Sequence, residues 1–265
     1  MSNYEKNPQP ELTDASKSNQ WNGMYVVRHT AKLIKDSINN GNCPLLPGAD
    51  GKVKTVVLYN ARTGYIPDAK DLIPLAIERQ NRGFRNSVIA SWTSLKEAGT
   101  RLKEGEKGIP YTFKDKEGNY RGSQHFFAEQ TENPEKFLDK AAKCQNLYLK
   151  GQTLKIDSAE NYLPVYIAAC KGGAEIEVDP KVVEQFKENL SKICENEVKP
   201  HGKDVEMQSL SSLLNNANSK AVIILSGKMK ELQVGKYSPE KIKAQEEKKQ
   251  ARAANQKKKP RENER

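Results

Sequence analysis

Histidine, cysteine and tryptophan are scarce in this chain, with three, four and two residues among 265. The cysteines, Cys43, Cys144, Cys170 and Cys194, have no short paired spacing. That pattern argues against a Cys-based zinc site and a disulfide framework, and it suits a reducing compartment. The histidines, His29, His125 and His201, are equally scattered. None opens the His-Glu-x-x-His spacing that sets two ligands on one helical face, so neither metal nor cofactor is expected. No apolar run is long enough to span a membrane, and the first 20 residues lack an apolar targeting segment. The expectation is a cytoplasmic protein with no membrane partner.

Charge, in contrast, is abundant. Lys and Arg number 44 against 34 Asp and Glu, a net of +10, and the mean hydropathy is −0.82. Such a surface favours polyanions. Half of the excess lies in Ser238–Arg265, which holds ten Lys/Arg and five Glu. Four segments are expected: a flexible arm over 1–20, a domain over 21–130, a mainly helical region over 131–237 and a basic tail over 238–265.

Periodicity predicts the elements. Met24–Asn40 carries apolar residues at helical spacing before Gly41. Val53–Tyr59 is β-branched and strand-like, and a turn follows over Asn60–Gly64. Asp71 is placed as cap of a helix to Asn81, with Pro74 in its first turn, where a missing N–H is harmless. Val88–Ala90 is a short strand, and Ser91 caps a helix Trp92–Ala98 that stops at Gly99. Arg101–Lys103 and Ile109–Phe113 are expected to form a hairpin about Glu104–Gly108, with a second turn at Lys116–Asn119 and a return strand Tyr120–Ala128. The fold class is thus α+β, a small antiparallel sheet with helices on one side.

Beyond it, helices are expected over Glu135–Lys143, Ser158–Lys171 and Pro180–Glu197. Pro164 casts doubt on the second. Asp179 followed by Pro180 makes the third the firmest. Leu210–Asn216 and Ala221–Leu225 are further apolar pieces, the latter equally consistent with strand or helix.

Arg79–Lys107 combines seven basic residues with three acidic ones, and Phe84 and Trp92 lie among them, with Tyr111 and Phe113 following. Single-strand grooves use this mixture, because cations track phosphates while rings stack on unpaired bases. The candidate phosphate contacts are Arg82, Arg85, Lys96, Arg101, Lys103 and Lys107. The candidate stacking rings are Phe84, Trp92 and Tyr111, with Trp92 equally able to point inward, and Phe113 is assigned to the core. His125 is read as a strand or surface residue, and Cys170 and Cys194 as buried inert thiols.

Three blocks carry a resemblance: Asn60-Ala61-Arg62-Thr63-Gly64, Gly83-Phe84, and Ser91-Trp92 through Gly105-Glu106-Lys107-Gly108. Over residues 24–130 the chain resembles the N-terminal single-stranded-DNA-binding domain of ArdC-type antirestriction proteins. That family shows an Asn-x-x-Thr-Gly turn, a Gly-Tyr pair and a Thr-Phe-helix-Gly element leading into Val-x-x-Gly-Glu-Lys-Gly. Val88-Ile89 departs from the frequent Arg-Trp of the family, and Tyr65-Ile66-Pro67-Asp68 departs from its Tyr-Arg-Gly-Ile-Asn run. The His-Glu-x-x-His metallopeptidase domain of longer members has no counterpart.

The resemblance implies non-specific single-stranded DNA binding; an RNA-binding protein is a separate, alternative expectation. The resemblance also implies a mobile-element or phage setting in which incoming DNA is shielded from restriction, and therefore a host cytoplasm. The competing expectation is a structural or interaction protein of a virion or conjugation apparatus, engaging a protein partner through its helical C-terminal half. Glu104–Gly108 lacks the spacing and the following Ser/Thr of a nucleotide-hydrolysing phosphate loop, and no carboxylate pair stands out as an acid/base couple. No enzymatic activity is expected.

Overall fold

The computed structural model describes residues 19–114, 116–117, 120–137, 147–198 and 209–236. The expected arm, the basic tail, part of the 116–119 turn and most of the Glu135–Lys143 helix lie outside the described residues. The fold is α+β. Helix α1 (Asn19–Asn39) starts five residues before its expected beginning. It buries one stripe through Val26, Thr30, Ile34 and Ser37.

Val53–Tyr59 does not form the expected strand. Only Tyr59–Asn60 (β1) enters a ladder, and Val53 makes one isolated bridge to Ile176. Val53, Val56 and Leu58 are nevertheless buried, so packing of side chains, rather than a ladder, holds this segment. Helix α2 (Ala69–Asn81) begins after Asp68 instead of at Asp71, and Asp68 directs its carboxylate to Lys171 Nζ at 2.9 Å. Pro74 is consequently the sixth helical residue and removes the bond to the Lys70 carbonyl. Complete burial of Ala69, Leu72 and Ile73 sets the earlier start.

The main sheet has the order β1-β2-β4-β3, with β2 at Val88–Ser91, β3 at Ile109–Lys114 and β4 at Tyr120–Phe127. The β1–β2 pair is parallel, so the sheet is mixed, and the other two pairs are antiparallel. The hairpin is β3–β4. Arg101–Lys103 does not pair with Ile109–Phe113 as expected, but runs beside Gln130–Glu132. Leu102 bridges Thr131, Lys103 N donates to the Gln130 carbonyl at 2.9 Å and Glu132 N to the Arg101 carbonyl at 2.9 Å.

Helices cover both faces of this sheet, not one. Neighbouring strand residues point to opposite sides. Phe126 joins Leu95 of α3 (Trp92–Ala98) in one apolar cluster, while Phe127 packs at a tilt against Phe84 just beyond α2.

The region after residue 130 also contains a parallel strand pair that periodicity does not reveal. Strands β5 (Thr153–Ile156) and β6 (Glu175–Val178) flank α4 (Ala159–Gly172). Four-residue strands carry too few alternations to register as a pattern. Ser158 Oγ caps α4 by accepting from Asn161 N at 3.3 Å. The helix continues through Pro164, because burial of Tyr162, Leu163, Tyr166 and Ile167 outweighs one forfeited backbone bond.

Helix α5 (Pro180–Val198) follows its prediction closely. Phe186 stacks on Tyr162 at 3.9 Å, and Tyr162 Oη donates to the Leu45 carbonyl at 2.8 Å. Leu210–Asn216 and Ala221–Leu225 belong to a single helix, α6 (Leu210–Lys236). Contacts group the chain up to Val222 into one compact unit, within which α1 packs on α5. In the second unit, from Ile223, the described residues are helical.

Cys43, Cys170 and Cys194 are buried free thiols. Burial pushes Cys170 up to about 12 and Cys194 up to about 12, and it raises Cys43 as well. The reactive thiolate is therefore scarce at neutral pH. These three thiols should resist a disulfide-exchange reagent at pH 8 in the folded protein and react promptly in guanidinium, as followed by mass-resolved labelling.

Candidate nucleic-acid interface

Each of the three sequence blocks folds as a local device. Asn60 Oδ1 accepts from Arg62 N at 2.9 Å and Thr63 N at 3.1 Å, which tightens the turn closed by Gly64 N to the Asn60 carbonyl at 2.8 Å. Gly83, at φ 67°, ends α2. Phe84 N reaches the Arg79 carbonyl at 2.9 Å and Gly83 N the Gln80 carbonyl at 3.2 Å. This paired closure needs a left-handed residue between helix and strand. Ser91 Oγ accepts from Ser94 N at 3.3 Å and caps α3.

The loop from Lys103 to Gly108 is shaped from beneath by Gln130, which is wholly buried. Its Oε1 accepts from Phe127 N at 2.9 Å, while Nε2 donates to Glu106 Oε2 at 2.8 Å and to the Lys107 carbonyl at 2.9 Å. Gly105 turns the loop at φ 78°. Gly108 has another reason to be glycine, since a Cβ there would stand 2.6 Å from Phe126 Cε1 and 2.7 Å from Gln124 Cβ.

The candidate residues are divided among three places. Trp92 is 42% exposed and packs edge-on against Phe126 at 4.6 Å, on the α3 side of the sheet. Lys96 stands exposed one turn further along α3. Tyr111 is on the opposite side, stacked on His125 at 3.8 Å, and its neighbour on the same face, Phe113, is 6.1 Å away. Phe113 is not core as expected but 43% exposed, because β3 is an edge strand whose far end pairs only with the part of β4 that β2 does not reach. Phe84 is half-buried against Phe127 at 5.1 Å, which makes it a packing ring.

The remaining cations gather about the loops at the end of the sheet. Arg82 is held within the protein: its guanidinium meets Glu78 Oε2 at 2.6 Å, lies 3.8 Å from Glu106 Oε2 and donates to the Lys107 carbonyl at 2.8 Å. Lys103 Nζ donates to the Glu129 carbonyl at 2.9 Å. Among the described residues Arg85, Lys96, Arg101 and Lys107 are exposed and have no ion-pair partner. Glu129 tempers this end, with Oε1 accepting from Arg85 N at 2.7 Å and Asn86 N at 3.0 Å.

Two residues support the surface from beneath: Gln130, which was not singled out in the sequence, and His125, which was read there only as a strand or surface residue. Gln130 gives no sequence signal, since a buried amide looks like any surface glutamine. His125 is buried in β4, with Nε2 3.8 Å from Asp71 Oδ2 and Nδ1 unpartnered among the described residues. Its ring forms the floor beneath Tyr111. Among the described residues no three His, Cys, Asp or Glu are placed to hold a metal ion, and no helix is long and apolar enough to cross a membrane.

No family model matches the chain, and no curated protein does. Two solved structures align with it, both of the Antirestriction ArdC protein from R388 plasmid. The metal-free structure shares 13% identity over 77% of this chain and 92% of that chain, with a TM-score of 0.32. The Mn(II)-bound structure shares 15% identity over 76% and 95%, with a TM-score of 0.36.

Replacing Gln130 tests the loop architecture. Gln130→Leu leaves the Lys107 carbonyl and Phe127 N–H without this partner, and should cost about 1 to 3 kcal/mol in urea unfolding. Amide exchange should accelerate first at Glu106–Gly108.

Proposed function

We propose that the chain binds single-stranded DNA without sequence preference, through the edge strand β3 and the cationic loop that leads into it. The observation that carries this reading is the ring pair Tyr111–Phe113. The two rings are neighbours on one sheet face, Tyr111 is fixed on the His125 imidazole and Phe113 projects into solvent. Rings held rigidly at a surface stack on unpaired bases at little entropic cost, and duplex bases are not available to them. Lys103 and Lys107 lie in the loop that leads into this strand and supply the positive charge that phosphates require.

Trp92 and Lys96, on the other side of the sheet, form a separate ring-and-cation pair and do not share a platform with Tyr111. Arg101, Lys103, Arg85 and Lys107 are the candidate phosphate contacts along the loop end between the faces. In this reading Arg82 and Phe84 shape the loop and do not touch the strand. The ArdC-like motif blocks add the antirestriction setting, in which a mobile-element protein coats incoming single strands in the host cytoplasm. Binding, not catalysis, is the proposed activity.

Titration separates this reading from a generic cationic surface. Oligo-dT should bind more tightly than a duplex of equal length across several salt concentrations, and equal affinities would refute it. Lys103→Ala/Lys107→Ala should flatten the logarithmic salt dependence by roughly 0.7 per lost contact. Tyr111→Ala/Phe113→Ala should instead cost about 1 to 3 kcal/mol per stacked base, with the salt slope nearly unchanged. Circular dichroism should first show each variant folded, since Tyr111 also packs on His125.

A further inference from the structure

The amino-terminal helix carries a second ring-and-cation surface outside the segment from Arg79 to Phe113. Tyr25, Arg28, His29 and Lys32 fall at i, i+3, i+4 and i+7 on α1, and so share one stripe. Tyr25, Arg28 and Lys32 lie opposite the buried Val26, Thr30, Ile34 and Ser37, and His29 at the margin of the stripe is half-buried. Tyr25 is 54% exposed and its ring lies parallel to the His29 imidazole, with centroids 6.1 Å apart and planes 12° from each other. Arg28 and Lys32 are exposed and, among the described residues, have no ion-pair partner.

The helix that carries this stripe packs against the elements of the proposed interface. Helix α1 packs on α2, β3 and β4. The His29 imidazole lies within electrostatic reach of Glu78 and Arg82 on α2, and the Arg82 guanidinium in turn holds the Lys107 carbonyl at 2.8 Å. Burial chiefly pushes His29 below its usual value, with Glu78 opposing and Lys32 and Arg82 pushing the same way. The imidazole is thus a mostly neutral ring at pH 7, suited to back Tyr25. Acidic groups nearby are already engaged: Glu78 with Arg82, and Asp71 beside His125. Asp36, one turn beyond Lys32, is the exposed exception.

We propose that Tyr25, Arg28 and Lys32 extend the single-strand track from the 103–107 loop across the amino-terminal half of α1, with both cations on phosphates and Tyr25 on a base. The occupant is a further stretch of the same nucleic-acid strand. Charge complementarity selects it, because the stripe presents two unpaired cations beside an exposed ring in a chain of net charge +10. This extension rests on the single-strand reading of the β3 surface.

The test is a salt series with oligo-dT on five proteins: the wild type, Arg28→Ala/Lys32→Ala, Tyr25→Ala, Lys103→Ala/Lys107→Ala, and the control Lys155→Ala/Lys181→Ala. The control removes the same charge from exposed positions on β5 and α5. The α1 double variant should lower the logarithmic salt slope by roughly 1.4, two contacts at about 0.7 each, while the control changes it far less. Tyr25→Ala should weaken binding about fivefold or more without altering the slope. Equal slopes for the α1 double variant and the control, with Tyr25→Ala binding like wild type, would overturn the extension. If the Lys103/Lys107 variant still loses slope in that case, the β3 reading survives alone. Wild-type protein that shows no preference for oligo-dT over duplex would overturn both.

Discussion

One buried amide fixes the geometry on which the proposed interface depends. Gln130 uses its oxygen to hold Phe127 N and its nitrogen to hold Glu106 and the Lys107 carbonyl. It thereby ties the end of β4, the short turn after it and the glycine loop to one another. Inside a protein a fully satisfied amide rigidifies its neighbours, while an unsatisfied one is costly, so the three bonds stand or fall together. Arg82 adds a second hold on the same Lys107 carbonyl from α2. Lys103 and Lys107 therefore project from a loop of defined shape, although their own side chains are exposed.

The sheet has helices on both faces, and this divides the aromatic residues. Phe126 and Phe127 point in opposite directions, so Trp92 joins one side and Phe84 the other. Tyr111 and Phe113, two positions apart on an edge strand, escape full coverage. The reason is that β3 has a partner strand on one side only. Placing rings against His125 and Phe126 also limits the rotamer entropy lost when a base stacks on them.

Remote parts of the chain support this surface through α1. The helix packs on α5, on α2 and on the β3–β4 hairpin. Elsewhere in the core Tyr162 joins α4 to the loop after α1 through the Leu45 carbonyl, and stacks on Phe186 of α5. Because the elements before and after residue 130 share this packing, a defect in α4 or α5 should reach the interface by loosening α1.

Local signals determined much of the secondary structure. Ser91 and Gly99 bound α3, Asp179-Pro180 opens α5, and Gly41 closes α1, because caps and left-handed stops depend on a few adjacent residues. The α+β class and the basic, ring-bearing segment from Arg79 to Phe113 were legible for the same reason. Pairing was not. Whether Arg101–Lys103 joins Ile109–Phe113 or Gln130–Glu132 is settled by contacts far apart in sequence, and both arrangements fit the same alternation. The β5–β6 pair was hidden by its brevity, and Val56 and Leu58 kept a strand-like composition while being buried without a ladder. Tertiary structure alone also decided which cations remain available, engaging Arg82 with Glu78 and Glu106 while leaving Lys107 exposed. Composition fixes how much charge a chain carries, but the distance between charges, which governs their energy, exists only once the chain has folded.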